Sequence, residues 1–200
     1  MPIFHEYKTI FIHIPKTAGT TVLRMFGYDQ VPNNNMFYHM DDFFEYDHAS
    51  AQLIKAREPE IYSYCYKFAI VRNPYDRLVS EYCWKKKDKD VRSVDVENMT
   101  FSEFVKFLYD NFDKIQLKSH KEKSHLIPQS NFVLDDVEVF RFEEIDNLIG
   151  CLVKKYELNV PQEKFNSTSH EHYLSYYDDR LKGMVYDLYR TDFLLFNYPK

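Results

Sequence analysis

Glycine is scarce in this chain. Four in 200 residues are too few for a collagen-like or glycine-periodic architecture, so each one raises a positional question. Cysteine is scarcer still: Cys65, Cys83 and Cys151 are odd in number, unevenly spaced and without a CxxC pair. That pattern excludes a disulfide framework and a cysteine-based zinc site, and it reads as free intracellular thiols. No run of about 18 apolar residues occurs, which leaves nothing to span a membrane. The opening MPIFHEYK has no apolar stretch of signal-peptide length. Positive charge is not in excess either: 26 Lys and Arg stand against 31 Asp and Glu, a net charge of -5. A nucleic-acid or anionic-membrane binder needs a broad basic surface and is excluded, whereas a small anionic ligand needs only a local cluster of cations. What the chain has in quantity is aromatic side chains, 17 Tyr and 17 Phe, which suit a packed core and not a disordered chain. Together these features describe a soluble cytoplasmic protein that folds as one domain over residues 1–200.

Strand and helix patterns alternate along the chain. Tyr7–Ile14 (YKTIFIHI) is apolar and β-branched and predicts a buried strand. It runs into the small-residue turn Pro15–Thr21, after which VLRMFGY predicts a helix ending near Gly27. The polar stretch Val31–Asp42 predicts a loop, and His48–Glu58 a helix stopped before Pro59. Lys67–Val71 predicts a second strand and Asp76–Trp84 the next helix, with a charged run from Lys85 to Arg92 read as a solvated loop or lid. Thr100 and Glu103 form a capping-box pattern ahead of the amphipathic FVKFLYDNF. Val137–Phe142 alternates like a strand, and Asp146–Tyr156 and Asp178–Tyr189 have helical spacing. Strands alternating with helices imply an α/β domain with a mainly parallel sheet.

Two segments carry chemistry. In His13–Thr21 (HIPKTAGTT) a strand hands over to a helix, where unpaired N–H groups and a positive dipole end attract an anion. Gly19 allows close backbone approach, Thr20 and Thr21 add hydroxyl donors, and Lys16 adds a point charge. The Walker A order is not present, because Lys16 precedes Gly19 instead of following it. In Phe68–Tyr82 (FAIVRNPYDRLVSEY), Arg72 closes a strand and Ser80 lies in the second turn of the following helix. Arg grips a phosphate with two parallel N–H bonds and Ser donates one more. Both loops belong at the carboxyl edge of a parallel sheet, where ligands of open α/β folds bind. Pro74 and Asp76 suit the first turn of a helix, so Asp76 and Arg77 read as structural.

HIPKTAGTT, followed about fifty residues later by VRNPYDRLVSEY, resembles the paired signatures of sulfotransferases that use 3′-phosphoadenosine 5′-phosphosulfate (PAPS). The likeness is to the group containing Golgi carbohydrate sulfotransferases and their short bacterial relatives. It extends to HASA from His48, HLIPQ from His125, RFEEI from Arg141 and the tail YRTDFLLFNY. The resemblance implies a three-layer α/β fold related to P-loop nucleotide kinases, and transfer of a sulfuryl group to a hydroxyl, most simply of a glycan, with release of 3′,5′-adenosine bisphosphate (PAP). It implies that the loop Pro15, Lys16, Thr17, Ala18, Gly19, Thr20 and Thr21 holds the 5′-phosphosulfate, with Lys16 also stabilising charge on the bridging oxygen. Arg72 and Ser80 are implied for the 3′-phosphate.

Hydroxyl attack needs a proton acceptor, and histidine is poised for that near neutral pH. His48 occupies the place of the catalytic histidine in the glycosaminoglycan 2-O-sulfotransferases it resembles. His125 is the rival, in a motif similar to that of the 4-O-type enzymes. His13 ends a strand and reads as structural, His170 and His172 lie in a polar segment, and Glu143 and Glu144 follow a strand. No metal-ligand spacing emerges, HEHY included, so the expectation is a metal-independent enzyme. The aromatic segments Met36–Met40 and Ser175–Tyr177 read as core before sugar platform, and the basic run Lys85–Lys89 as solvated loop. A P-loop-type nucleotide kinase and a non-catalytic PAP-binding module remain the alternatives.

Overall fold

A computed structural model of the protein describes residues 3–27, 48–87, 96–117, 125–158 and 171–200. The chain divides into two compact units, each assembled from two stretches: Met1–Val71 with Asn131–Ser167, and Arg72–Ser130 with Thr168–Lys200.

The first unit holds the sheet. Its strands are β1 (Ile3–Phe4), β2 (Thr9–Ile12), β3 (Tyr66–Val71) and β4 (Glu138–Arg141), in that spatial order. β1 pairs antiparallel with β2, whereas β2–β3 and β3–β4 are parallel. The mostly parallel sheet with flanking helices is the α/β class that the alternation predicts. The first strand is shorter than its apolar run, because His5–Tyr7 forms a helical turn and Lys8 takes a left-handed conformation at φ 46°. That reversal lets Ile3 pair back onto Ile10. Helices α1 (Gly19–Met25) and α6 (Ile145–Tyr156) supply Val22, Leu23, Met25, Leu148 and Leu152 to one core with Phe4, Phe11, Phe68 and Ile70. Strand periodicity puts Phe68 and Ile70 on the same face, which is why alternate strand residues meet these helices.

The helix predicted over His48–Glu58 is α2 (Ala51–Arg57), capped by the Ser50 side chain, which accepts from Leu53 N at 3.3 Å. Pro59 ends it and also starts α3 (Pro59–Tyr64), because proline costs nothing at a first helical position. The second unit contains α4 (Pro74–Lys87), α5 (Phe101–Leu117), α7 (Asp179–Leu188) and α8 (Arg190–Leu195). The capping box forms as read: Glu103 N bonds Thr100 Oγ1 at 3.3 Å and Thr100 N bonds Glu103 Oε2 at 2.7 Å. That backbone N–H holds the Glu103 carboxyl below the usual carboxylate range. Asp178 caps α7 by a single bond, its carboxylate accepting from Leu181 N at 2.7 Å.

The charged run after Trp84 is not all loop. α4 continues to Lys87, and helical spacing turns Lys85 back under Glu81, where both side chains are buried with Nζ 3.5 Å from Oε1. In Ser175–Tyr177 the two tyrosines pack and Ser175 is exposed: Tyr176 and Tyr177 meet the Phe101 ring edge-on, and Tyr177 also meets Tyr75 and donates to Tyr75 O at 2.9 Å. The predicted loop Val31–Asp42, the aromatic segment Met36–Met40, the rest of the charged run beyond Lys87 and His170 lie outside the described residues.

Candidate active site

The segment after β2 folds as a tight, strained loop. Lys16 and Ala18 both adopt left-handed backbone at φ 68° and 67°, although neither is glycine. Left-handed residues in a turn point successive N–H groups into one concavity, the backbone geometry of an anion nest. Thr17 between them is fully buried, and its hydroxyl donates to Ile14 O at 2.8 Å. Its side chain is therefore committed to closing the loop, and it can serve a ligand only through its main chain. No acidic side chain occurs from His13 to Met25, so the loop carries positive charge alone. α1 has only seven residues, so Lys16 and the loop amides matter more here than a helix dipole.

Gly19 has a reason that sequence reading missed. Its backbone is not left-handed. Instead, a Cβ at this position would fall on the imidazole of His13. The missing side chain makes room for that ring. His13 in turn lies 4.4 Å from the His48 ring, centroid to centroid, and its carbonyl meets His48 Nδ1 at 2.9 Å. A carbonyl only accepts, so Nδ1 donates, and the neutral His48 ring carries its lone pair on Nε2. One of the two histidines singled out as bases is thus packed against the start of this loop with Nε2 left as an acceptor. Gly19→Ala should gain up to about 1 kcal/mol of helix propensity but lose roughly 1–3 kcal/mol to overpacking, a net loss of thermal stability. Removing the obstacle in Gly19→Ala/His13→Ala should restore the melting temperature; a double variant no more stable than the single one would refute the packing argument.

In the second unit Arg72 is the first residue after β3, and its Nε donates to Asp76 Oδ2 at 2.8 Å. Ser80 is buried two turns into α4. Arg77 is structural, as read: Nη2 donates to the carbonyls of His125 and Ile127, both at 2.9 Å, and the side chain is 4% exposed. His125 Nδ1 meets Glu81 Oε2 at 2.8 Å, and Trp84 stacks on the ring at 5.1 Å. A family model for sulfotransferases matches residues 1–199 of this sequence. The chain belongs to the sulfotransferase family. It is accordingly an enzyme of sulfuryl transfer. No curated protein and no solved structure matches the chain.

Among the described residues of this sulfotransferase no group of three or more His, Cys, Asp or Glu is placed to hold a metal, and no helix is long and apolar enough to cross a membrane. Glu143 and Glu144 are exposed in the turn between β4 and α6, and His172 bonds within its own turn, at Leu174 N and Ser175 Oγ. Sequence reading missed Glu81 as the partner of His125, although its spacing to Lys85 is a local helical signal. It also missed Gln129 and Asp192. Gln129 is fully buried and bonds Arg72 from both sides of its peptide, and Asp192 is fully buried against Gln129. The only trace of these residues in the sequence is that HLIPQ and YRTDF contain them.

Proposed function

We propose that this sulfotransferase moves the sulfuryl group of PAPS to a hydroxyl of a carbohydrate acceptor and releases PAP. The observation that carries the reading is the placement, within one unit, of a positively charged nest loop beside a histidine whose Nδ1 is tied to a carbonyl. The fit to PAPS rests on the donor set: Lys16, the main chain from Pro15 through Ala18 and Gly19 to Thr21, and the hydroxyls of Thr20 and Thr21, with no acid among them. These groups take the 5′-phosphosulfate, Thr17 contributing only its main chain. Arg72 and Ser80 take the 3′-phosphate. His48 Nε2 accepts the acceptor's proton as its oxygen bonds to sulfur, and Lys16 offsets the charge left on the phosphate oxygen as the old S–O bond breaks. The same reading takes the chain as one three-layer, P-loop-like domain over residues 1–200, needing no metal. The unpaired Cys65, Cys83 and Cys151 support a cytoplasmic setting.

A second reading of the base is favoured by one contact. The Glu81 carboxylate behind His125 Nδ1 would likewise leave Nε2 as the acceptor and would stabilise the imidazolium once formed. Titration calorimetry with PAP tests the cofactor assignment directly. A dissociation constant of about 1 μM or tighter is expected, weakened at least tenfold in Arg72→Ala. Absence of PAP binding together with magnesium-dependent ATP turnover would replace this reading with a nucleotide kinase.

A further inference from the structure

We infer that Gln129 and Asp192 are positioning residues that set Arg72 for the nucleotide's 3′-phosphate, an assignment that rests on the PAPS reading above. Arg72 follows the last residue of β3. Its N–H donates to Gln129 Oε1 at 2.9 Å, and its carbonyl accepts from Gln129 Nε2 at 2.8 Å. One side-chain amide thus satisfies both peptide groups of one residue, in the manner of a neighbouring strand.

Gln129 is itself held from behind. Its N–H donates to Asp192 Oδ2 and the next N–H, of Ser130, donates to Asp192 Oδ1, each at 2.8 Å. Asp192 is wholly buried, and Arg77 Nη1 lies 3.9 Å from Oδ2. The remaining peptides of this segment are pinned too: Arg77 holds the carbonyls of His125 and Ile127, and the Tyr189 hydroxyl donates to Leu126 O at 2.8 Å. Asp76 then ties the Arg72 guanidinium at Nε. Backbone and side chain of one arginine are therefore both fixed, through a chain that starts at a buried carboxylate 120 positions further on.

Stability alone does not explain this construction. A buried charge network is commonly no more stable than apolar side chains of the same volume. What it supplies is placement, and this network ends on the residue assigned to the phosphate. A two-pronged Arg–phosphate contact depends on that placement, since misplacement by about 1 Å can cost 100-fold.

PAP and 5′-AMP differ only in the 3′-phosphate, so their affinity ratio reports Arg72 placement separately from general integrity. In the full chain, Gln129→Met keeps volume and removes both bonds to Arg72, Gln129→Glu keeps the acceptor alone, and Asp192→Asn weakens the support behind them. The wild type is expected to prefer PAP. Gln129→Met should cut PAP affinity roughly 10-fold or more while changing 5′-AMP affinity less than about 2-fold, with Gln129→Glu and Asp192→Asn intermediate. In an Arg72→Ala background Gln129→Met should then have no further effect on PAP. Equal loss of both nucleotides in these variants, or an unchanged PAP preference in folded Gln129→Met, overturns the inference. A wild type without preference for PAP instead overturns the PAPS reading itself.

Discussion

Lys16→Ala is expected to leave a folded enzyme whose kcat has fallen by about 10²- to 10³-fold or more. The size follows from the role: the loop amides still hold the phosphosulfate, but the cation that offsets charge on the departing oxygen is gone. The backbone makes the comparison clean. Lys16 sits at φ 68°, a conformation equally unfavourable for lysine and alanine, so the substitution adds no strain to the loop. Glycine would relieve strain and is the wrong control. The fully buried Thr17, bonded to Ile14, still closes the turn in this variant, so the folded state should persist. The check is sulfate transfer from labelled PAPS to a panel of hydroxylated acceptors, alongside a melting curve. Turnover within threefold of wild type would remove Lys16 from the chemistry.

His48→Ala should lower kcat by about 10²- to 10⁴-fold, the range for loss of a general base, while His125→Ala costs less than about tenfold. Alanine also removes the bond to the His13 carbonyl and so loosens the packing over Gly19. His48→Asn is the better probe, since its amide can donate in place of Nδ1 but cannot accept a proton. It should melt like wild type and remain inactive. The opposite ranking of the two histidines would move the base to the Glu81–His125 pair, and Glu81→Gln should then lower kcat as well.

The sequence made the sheet and the two turns that leave it legible because their signals are local. An apolar run followed by Pro-Lys-Thr-Ala-Gly, and Arg at a strand end followed by Pro at a helix start, each state their geometry within a few residues. The Thr100–Glu103 cap was readable for the same reason. What escaped depends on partners that no window contains. The sequence does not announce that Gly19 also makes room for the ring of His13 six positions earlier. Lys85 looked solvated because its neighbours are charged, whereas the helical period buries it on Glu81. Tyr7 and Lys8 looked like strand because they adjoin one, and the left-handed turn at Lys8 has no glycine or asparagine to announce it. The Gln129–Asp192 contact spans 63 positions and has no local signature at all.

The bond from Asp192 to the Gln129 peptide also orders events in time. A ribosome delivers the Arg72 loop and the Gln129 segment well before the chain reaches Asp192. Until then the carboxylate that steadies Gln129 does not exist, and the arginine's amide has an unbraced partner. The sheet and the Pro15–Thr21 loop, apart from β4 and α6, are encoded upstream of Arg72 and can condense earlier, so on the PAPS reading the groups proposed for the two phosphates would be completed at different stages of synthesis. On that reading, a nascent chain released before residue 192 would be expected to bind PAP and 5′-AMP with little preference between them.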